Sequence, residues 1–207
     1  MLDGYLCIDS RTKNIYSSDI EDINSIISKF LEFNPVTKRY DSKNTSSYFF
    51  IMNKEILLYL IKDGKFSIPL GKIDGVFDCS YLGLTSLEGA PTEVGRDFNC
   101  SHNKLTSLEG APQNVGGEFE CSYNQLTFLE GAPREVGGSF DCRWNQLTSL
   151  EGAPQTVGKG FYCYNNKLVS LKGAPKTVGG DFDCSYNPSL HSLEGIGKVK
   201  GIIYKDF

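Results

Sequence analysis

Residues 105–125 read LTSLEGAPQNVGGEFECSYNQ, and residues 126–146 repeat them as LTFLEGAPREVGGSFDCRWNQ. Cysteines at 79, 100, 121, 142, 163 and 184 extend the pattern in both directions with an unbroken spacing of 21 residues. A disulfide framework or a zinc site groups cysteines irregularly or as close C-x-x-C pairs, which this chain lacks. An invariant period of this length marks a stacked repeat. The cysteines then form a column on adjacent parallel strands, each a small buried apolar group. In-register strands about 4.8 Å apart do not present the crossed geometry of a disulfide, so reduced thiols are expected. With only His102 and His191 to assist, no metal site and no cofactor is expected.

Around the cysteines run further columns. Phe77, Phe98, Phe119, Phe140, Phe161 and Phe182 precede them by two residues. Leu84, Leu105, Leu126, Leu147 and Leu168 form one leucine column, and Leu87, Leu108, Leu129, Leu150 and Leu171 a second. A one-residue insertion near Pro188 shifts these to Leu190 and Leu193 in the last unit. F-x-C has the period of a strand, so Phe and Cys point inward while their neighbours face out. Asn103, Asn124, Asn145, Asn166 and Asn187 follow the strand where the chain turns, and an amide there can satisfy backbone groups of adjacent coils. The first unit has Leu82 at that place, as suits a boundary coil. E-G-A-P supplies a glycine for unusual backbone angles and a proline that stops a helix, so the far side of each coil is expected to be extended or polyproline-like rather than helical.

The stretch F-x-C-S-x-N-x-L-x-x-L resembles the leucine-rich repeat core over about two thirds of the chain. It is similar to the short repeats of bacterial leucine-rich effectors, which have about one residue fewer. The wording L-T-S-L-E-G-A-P with V-G-G-x-F-x-C-S-x-N resembles repeats of bacteriophage and prophage proteins. That resemblance implies a phage-encoded protein acting in a bacterial host cytoplasm, where it binds and blocks a host protein such as a defence component.

The expected fold is an α+β cap over residues 1–68 followed by a parallel-β leucine-rich repeat solenoid over 69–207, with about six units and a truncated last strand. In the cap, Ser18 to Phe33 reads as an amphipathic helix with Ile20, Ile23, Ile27, Phe30 and Leu31 on one face; Ser18 and Glu21 have capping-box spacing, and Asn34-Pro35 ends it. Tyr48 to Met52, Ile56 to Ile61 and Phe66 to Leu70 read as strands, the last two joined at Asp63-Gly64, with a short helix as the alternative for Ile56 to Ile61. Cys7 is read as structural. At the other end, Gly201 to Phe207 fits a seventh, truncated strand with Tyr204 near the Phe column.

The 207 residues carry a net charge of −4, which argues against direct binding to nucleic acid or anionic membranes by bulk charge. The longest aliphatic and aromatic run, Ile56 to Ile61, is far short of the roughly 20 residues of a membrane helix. A charged start leading into an apolar segment is lacking, so a cytoplasmic protein is expected.

Positions held constant in every unit serve the coil; exposed positions that vary are free to serve a partner. Between Phe and Cys stand Asp78, Asn99, Glu120, Asp141, Tyr162 and Asp183; before Phe stand Val76, Asp97, Glu118, Ser139, Gly160 and Asp181. The two places after Cys are read as outward too, and the second of them is Tyr81, His102, Tyr123, Trp144, Asn165 and Tyr186. Departures from the consensus cluster: Arg143 and Tyr164 replace Ser, Tyr162 replaces an acid, and Trp144 is the single tryptophan. Aromatic and arginine side chains dominate interface hot spots. The expected function is non-catalytic binding of a partner protein with a basic or mixed surface through a concave sheet. Its contact residues would be Tyr81, His102, Glu120, Tyr123, Asp141, Arg143, Trp144, Tyr162, Tyr164, Asp183 and Tyr186. The alternatives are a nucleic-acid mimic that occupies a basic protein, or a structural, self-assembling repeat; homo-oligomerisation is left open. No nucleophile–base pair, phosphate loop or enclosed carboxylate pair argues for an enzyme.

Overall fold

A computed structural model describes residues 5–6, 15–16, 31–42, 51–52, 57–58 and 60–207. It forms a parallel β-solenoid in which every 21-residue coil contributes one short strand to each of two sheets. The Phe sheet stacks Val76–Asp78, Phe98–Asn99, Phe119–Glu120, Phe140–Asp141, Phe161–Tyr162, Phe182–Asp183 and Ile203–Tyr204. Ile51–Met52 adds an eighth, parallel strand beside Val76–Asp78. The second sheet, the Val sheet, runs from Lys72–Ile73 through Glu93–Val94, Asn114–Val115, Glu135–Val136, Thr156–Val157 and Thr177–Val178 to Lys198–Val199. Phe pairs with Phe and Val with Val, so the repeat sets the register.

The core lies between the sheets. Phe, Cys and both leucine columns are buried from the Phe-sheet side, and Val94, Val115, Val136, Val157 and Val178 meet them from the other. Successive Phe rings sit 5.1–5.9 Å apart. Full burial of one such ring contributes about 2–3 kcal/mol. The far side is extended, as E-G-A-P requires: Gly89, Gly110, Gly131, Gly152, Gly173 and Gly195 take φ between +84° and +93°, a region that excludes most L residues. The Val sheet itself was not anticipated, although the unvarying V-G pair carried its signal. At Gly137 a Cβ would lie 2.2 Å from the Gly116 carbonyl oxygen, so glycine is what allows coils to stack this closely.

Each ladder asparagine ties its own coil to the preceding one. Asn145 Nδ2 donates to the carbonyls of Cys121 (3.0 Å) and Cys142 (3.1 Å), and its Oδ1 accepts the Leu126 N–H at 3.0 Å. The other four repeat this geometry, and Leu82 N–H, in the coil without an asparagine, donates to Asn103 Oδ1. The six repeat cysteines are free thiols. Burial pushes the Cys121, Cys142 and Cys163 thiols far up and raises Cys184 to about 11. At neutral pH they are protonated packing groups.

The amino-terminal region departs from the expected α+β cap. Leu31–Asn34 is a strand, paired antiparallel with Arg39–Ser42, where the helix was expected to continue to Phe33. Asn34 is the reason: its Oδ1 accepts the Val36 and Thr37 N–H groups and closes a turn, while Phe33 meets Tyr40 across the hairpin at 5.3 Å. The rest of that expected helix, residues 18–30, lies outside the described residues, as do Cys7 and residues 48–50 of an expected strand. Leu57, Leu58 and Leu60 are helical, the alternative for a stretch read as a strand. The hairpin at Asp63-Gly64 is present as Ile61–Lys62 with Lys65–Phe66, although Ser67 to Leu70 form no strand beyond a bridge at Leu70. The first hairpin closes onto the solenoid: Arg39 donates to the Leu70 carbonyl at 2.7 Å, and Asp41 Oδ1 accepts the Lys72 N–H at the edge of the Val sheet.

In the last coil Ile203 continues the Phe column by pairing with Phe182, and Tyr204 stands beside it, opposite Asp183. The insertion at Pro188 is cancelled before the final strands, because Leu193 and Val199 are six apart where Leu171 and Val178 are seven.

Candidate functional site

Seven carboxylates line the outer face of the Phe sheet, and the backbone claims five of them. Asp78, Asp141 and Asp183 each accept the N–H two residues on, at 3.0, 3.1 and 3.0 Å, and Asn99 does the same at 2.9 Å. Asp97 accepts the Glu118 N–H of the next coil at 2.9 Å and Asp181 the Ile202 N–H at 2.8 Å. The acid columns are therefore largely a structural device, an Asx turn and a strut between coils. A glutamate is one methylene too long for either. Glu118 and Glu120 point outward, Glu118 with Lys159 at 3.7 Å. Burial raises the Glu120 pKa, the Asp141 and Glu118 charges raise it further, and Arg143 offsets part of this.

The two places after Cys also separate. The first was expected to face out, but Ser80, Ser101 and Ser122 are buried. An Arg or Tyr at this position must emerge at the surface, which makes Arg143 and Tyr164 true exceptions. Arg143 Nε lies 3.0 Å from Asp141 Oδ2 as an ion pair without hydrogen-bond alignment. Its Nη1 donates to the Tyr164 hydroxyl, and the guanidinium lies 5.5 Å from the centre of that ring. Burial works to lower the Arg143 pKa, but Tyr164 and Asp141 outweigh it and the net shift is upward. Burial likewise raises Asp141, whose turn bond and Arg143 hold it back. Tyr162 folds over Gly160, where a Cβ would meet its hydroxyl, and this explains the glycine in that column. Burial and then Asp181 raise the Tyr162 pKa.

The second place is a left-handed corner. Tyr81, His102, Tyr123, Trp144, Asn165 and Tyr186 all have φ between 52° and 59°. The aromatic column therefore stands at the turn leaving the Phe sheet, beside the sheet face and not upon it. Four of its rings form one continuous stack: Tyr81–His102 at 4.1 Å, His102–Tyr123 at 4.2 Å and Tyr123–Trp144 at 5.4 Å, with interplanar angles of 11–12°. Asn165 ends the stack and leaves Tyr186 apart. Tyr81 and Tyr186 are 65% and 66% exposed, and Trp144 46%.

The expected contact residues thus fall into three groups. Glu120, Asp141, Arg143, Tyr162 and Tyr164 form one patch; Tyr81, His102, Tyr123 and Trp144 form a stack that joins it at Trp144; Asp183 and Tyr186 lie one and two coils beyond Tyr162 and Trp144. No protein-family model, curated protein or solved structure matches this chain. Glu118 and Lys159, which the expected set omitted, belong to the first group. Periodicity alone gave no reason to separate Glu118 from the aspartates. Among the described residues no group of His, Cys, Asp and Glu is arranged to hold a metal ion, and no described helix is long and apolar enough to cross a membrane.

Proposed function

We propose that the protein is a non-catalytic binding module whose Phe-sheet face, at the coils of Glu120, Asp141 and Tyr162, recognises a partner protein carrying cationic side chains. One observation carries this reading: Arg143 is locked to Asp141 and Tyr164, so an aromatic-lined patch is held rigid beside the half-buried Glu120 carboxylate. Rigid aromatic groups lose little entropy on binding. A partner cation at Glu118 and Glu120 relieves the like-charge crowding there, which supplies affinity and orientation. Arg143 acts here mainly by holding Tyr164 and Asp141 in place, and Trp144, Tyr162, Tyr164 and Glu120 meet the partner.

The repeat's resemblance to leucine-rich repeats, and to repeats of phage and prophage proteins, supports a phage-encoded inhibitor of a host protein, with host defence as its setting. Nucleic-acid mimicry is the weaker reading. A mimic presents phosphate-like charges to its partner, and five of these seven carboxylates are turned to the chain's own backbone. The test is affinity capture from bacterial lysate by wild type and by an Arg143→Glu/Trp144→Ala variant of unchanged melting temperature. A protein captured by wild type and lost by the variant supports the reading; equal capture moves the site off this face. For the captured partner, a steep loss of affinity with salt would favour mimicry over an aromatic-centred interface.

A further inference from the structure

We propose that the break in the aromatic column at Asn165 is a docking slot for an arginine side chain of the partner protein, an inference that rests on the binding reading above. The column has a fixed geometry. Rings on consecutive left-handed corners stack face to face, so one face of Trp144 is covered by Tyr123 and the other looks toward the coil of Asn165. Tyr186 stands on the next corner beyond, with φ of 53°. Two strand spacings separate the corners of Trp144 and Tyr186, roughly 9.6 Å. An amide fills only the base of a gap in which a ring would otherwise sit.

A flat group entering midway lies about 4.8 Å from each flanking corner, inside the ~6 Å range of cation–π attraction. A cavity of about 500 Å³, lined by Asn165, Tyr186, His191, Asp206 and Phe207, opens on the Tyr186 side of the gap, and Trp144 stands outside its lining on the other side of Asn165. Asp206 Oδ2 accepts the Tyr186 N–H, and its remaining lone pairs stay available to a donor. Three features of the slot select its guest. Its thickness suits a planar group, aromatic side chains stand on the corners to either side at Trp144 and Tyr186, and Asn165 and Asp206 offer oxygen acceptors along the cavity. A guanidinium meets all three requirements at once, being planar, cationic and a fork of donors. A lysine ammonium is a point charge that leaves the slot unfilled, and a neutral ring leaves the carboxylate unused. A nucleobase would bring phosphates toward a chain of net charge −4.

Trp144 is the single tryptophan, so its fluorescence reports on the slot directly. The probes are hexa-arginine and hexa-lysine peptides titrated against the full chain at equal ionic strength. The expected result is that hexa-arginine binds at least about fivefold more tightly than hexa-lysine. Asn165→Tyr completes the stack, lowers that ratio to near one and does not lower the melting temperature; Asn165→Ala keeps the slot open and keeps the preference. Equal binding of both peptides by wild type overturns the slot yet leaves the acidic face as a cation-binding surface. No response to either peptide overturns it, as does a preference that survives in Asn165→Tyr. An equal response of Trp144 to uncharged tyrosinamide overturns the choice of arginine. Loss of the lysate partner in the Arg143→Glu/Trp144→Ala variant is read separately, so failure of the slot and failure of the binding face are distinguishable.

Discussion

Two adjacent ladder asparagines should be worth more together than the sum of their separate losses. The carbonyls of Cys100, Cys121, Cys142 and Cys163 each receive two Nδ2 donors, one from their own coil and one from the next: Cys142 O is bonded by Asn145 at 3.1 Å and by Asn166 at 3.1 Å. Asn145→Ala orphans the buried Leu126 N–H but leaves the Cys121 and Cys142 carbonyls one donor each. The expected cost is about 2–4 kcal/mol, set mainly by the orphaned N–H. In Asn145→Ala/Asn166→Ala the Cys142 carbonyl loses both donors. A buried carbonyl without a partner adds about 1–3 kcal/mol beyond the two single costs. Asn124 and Asn166 share no carbonyl, since the first serves Cys100 and Cys121 and the second Cys142 and Cys163. That pair should be additive to within about 0.5 kcal/mol. Urea denaturation of the three single and two double variants, followed by circular dichroism, measures both couplings. General loosening of a solenoid predicts the opposite sign for neighbours, because a coil already weakened has less to lose. A coupling for 145/166 that is zero or subadditive refutes the shared-carbonyl account.

Gly137→Ala should destabilise the chain by about 1–3 kcal/mol in the same assay, because its Cβ has no room against the Gly116 carbonyl; a neutral outcome would mean that the coils can separate freely. Glu120 has a folded pKa above its ordinary value, so the stability it contributes is present only in acid and is lost as pH rises through the folded value. Glu120→Gln should therefore raise the melting temperature at pH 7 and lose that advantage below about pH 4, and a gain independent of pH would contradict the charge argument. The six buried thiols should resist a thiol-specific reagent at pH 8 in the native state and react on unfolding, with Cys184, raised less than Cys100, Cys121, Cys142 and Cys163, labelled before those four in peptide mapping as pH increases. Early labelling of Cys121 or Cys142 would show that the ladder opens locally.

The repeat was fully legible because each coil solves the same packing problem, and inward positions tolerate one residue each. Phe140 is fully buried between the rings of Phe119 and Phe161, so the 21-residue spacing, the inward Phe and Cys and the asparagine ladder followed from the sequence alone. Local patterns were weaker guides in the cap. The apolar spacing that ends at Phe33 favours a helix, whereas Asn34 and contacts with Tyr40 and the first coil hold Leu31–Asn34 as a strand. Likewise, the shift at Pro188 was visible, but its cancellation by Val199 depends on two sheets having to stay in step.

For the candidate site, sequence identified the exceptional residues, and only the tertiary structure assigned them work. A row of aspartates and glutamates looks uniform as text. In three dimensions Asp78, Asp97, Asp141, Asp181 and Asp183 bind backbone N–H groups while Glu118 and Glu120 do not, because one methylene separates a side chain that closes an Asx turn from one that overshoots it. The aromatic residues after Cys were evident from the repeat, but their stacking was not. It arises from a left-handed corner, repeated at every coil, that turns each ring toward the next until Asn165 interrupts the series. Periodicity in the chain determined the coil; the spacing of stacked coils decided which outward side chains the fold uses itself and which it leaves to a partner.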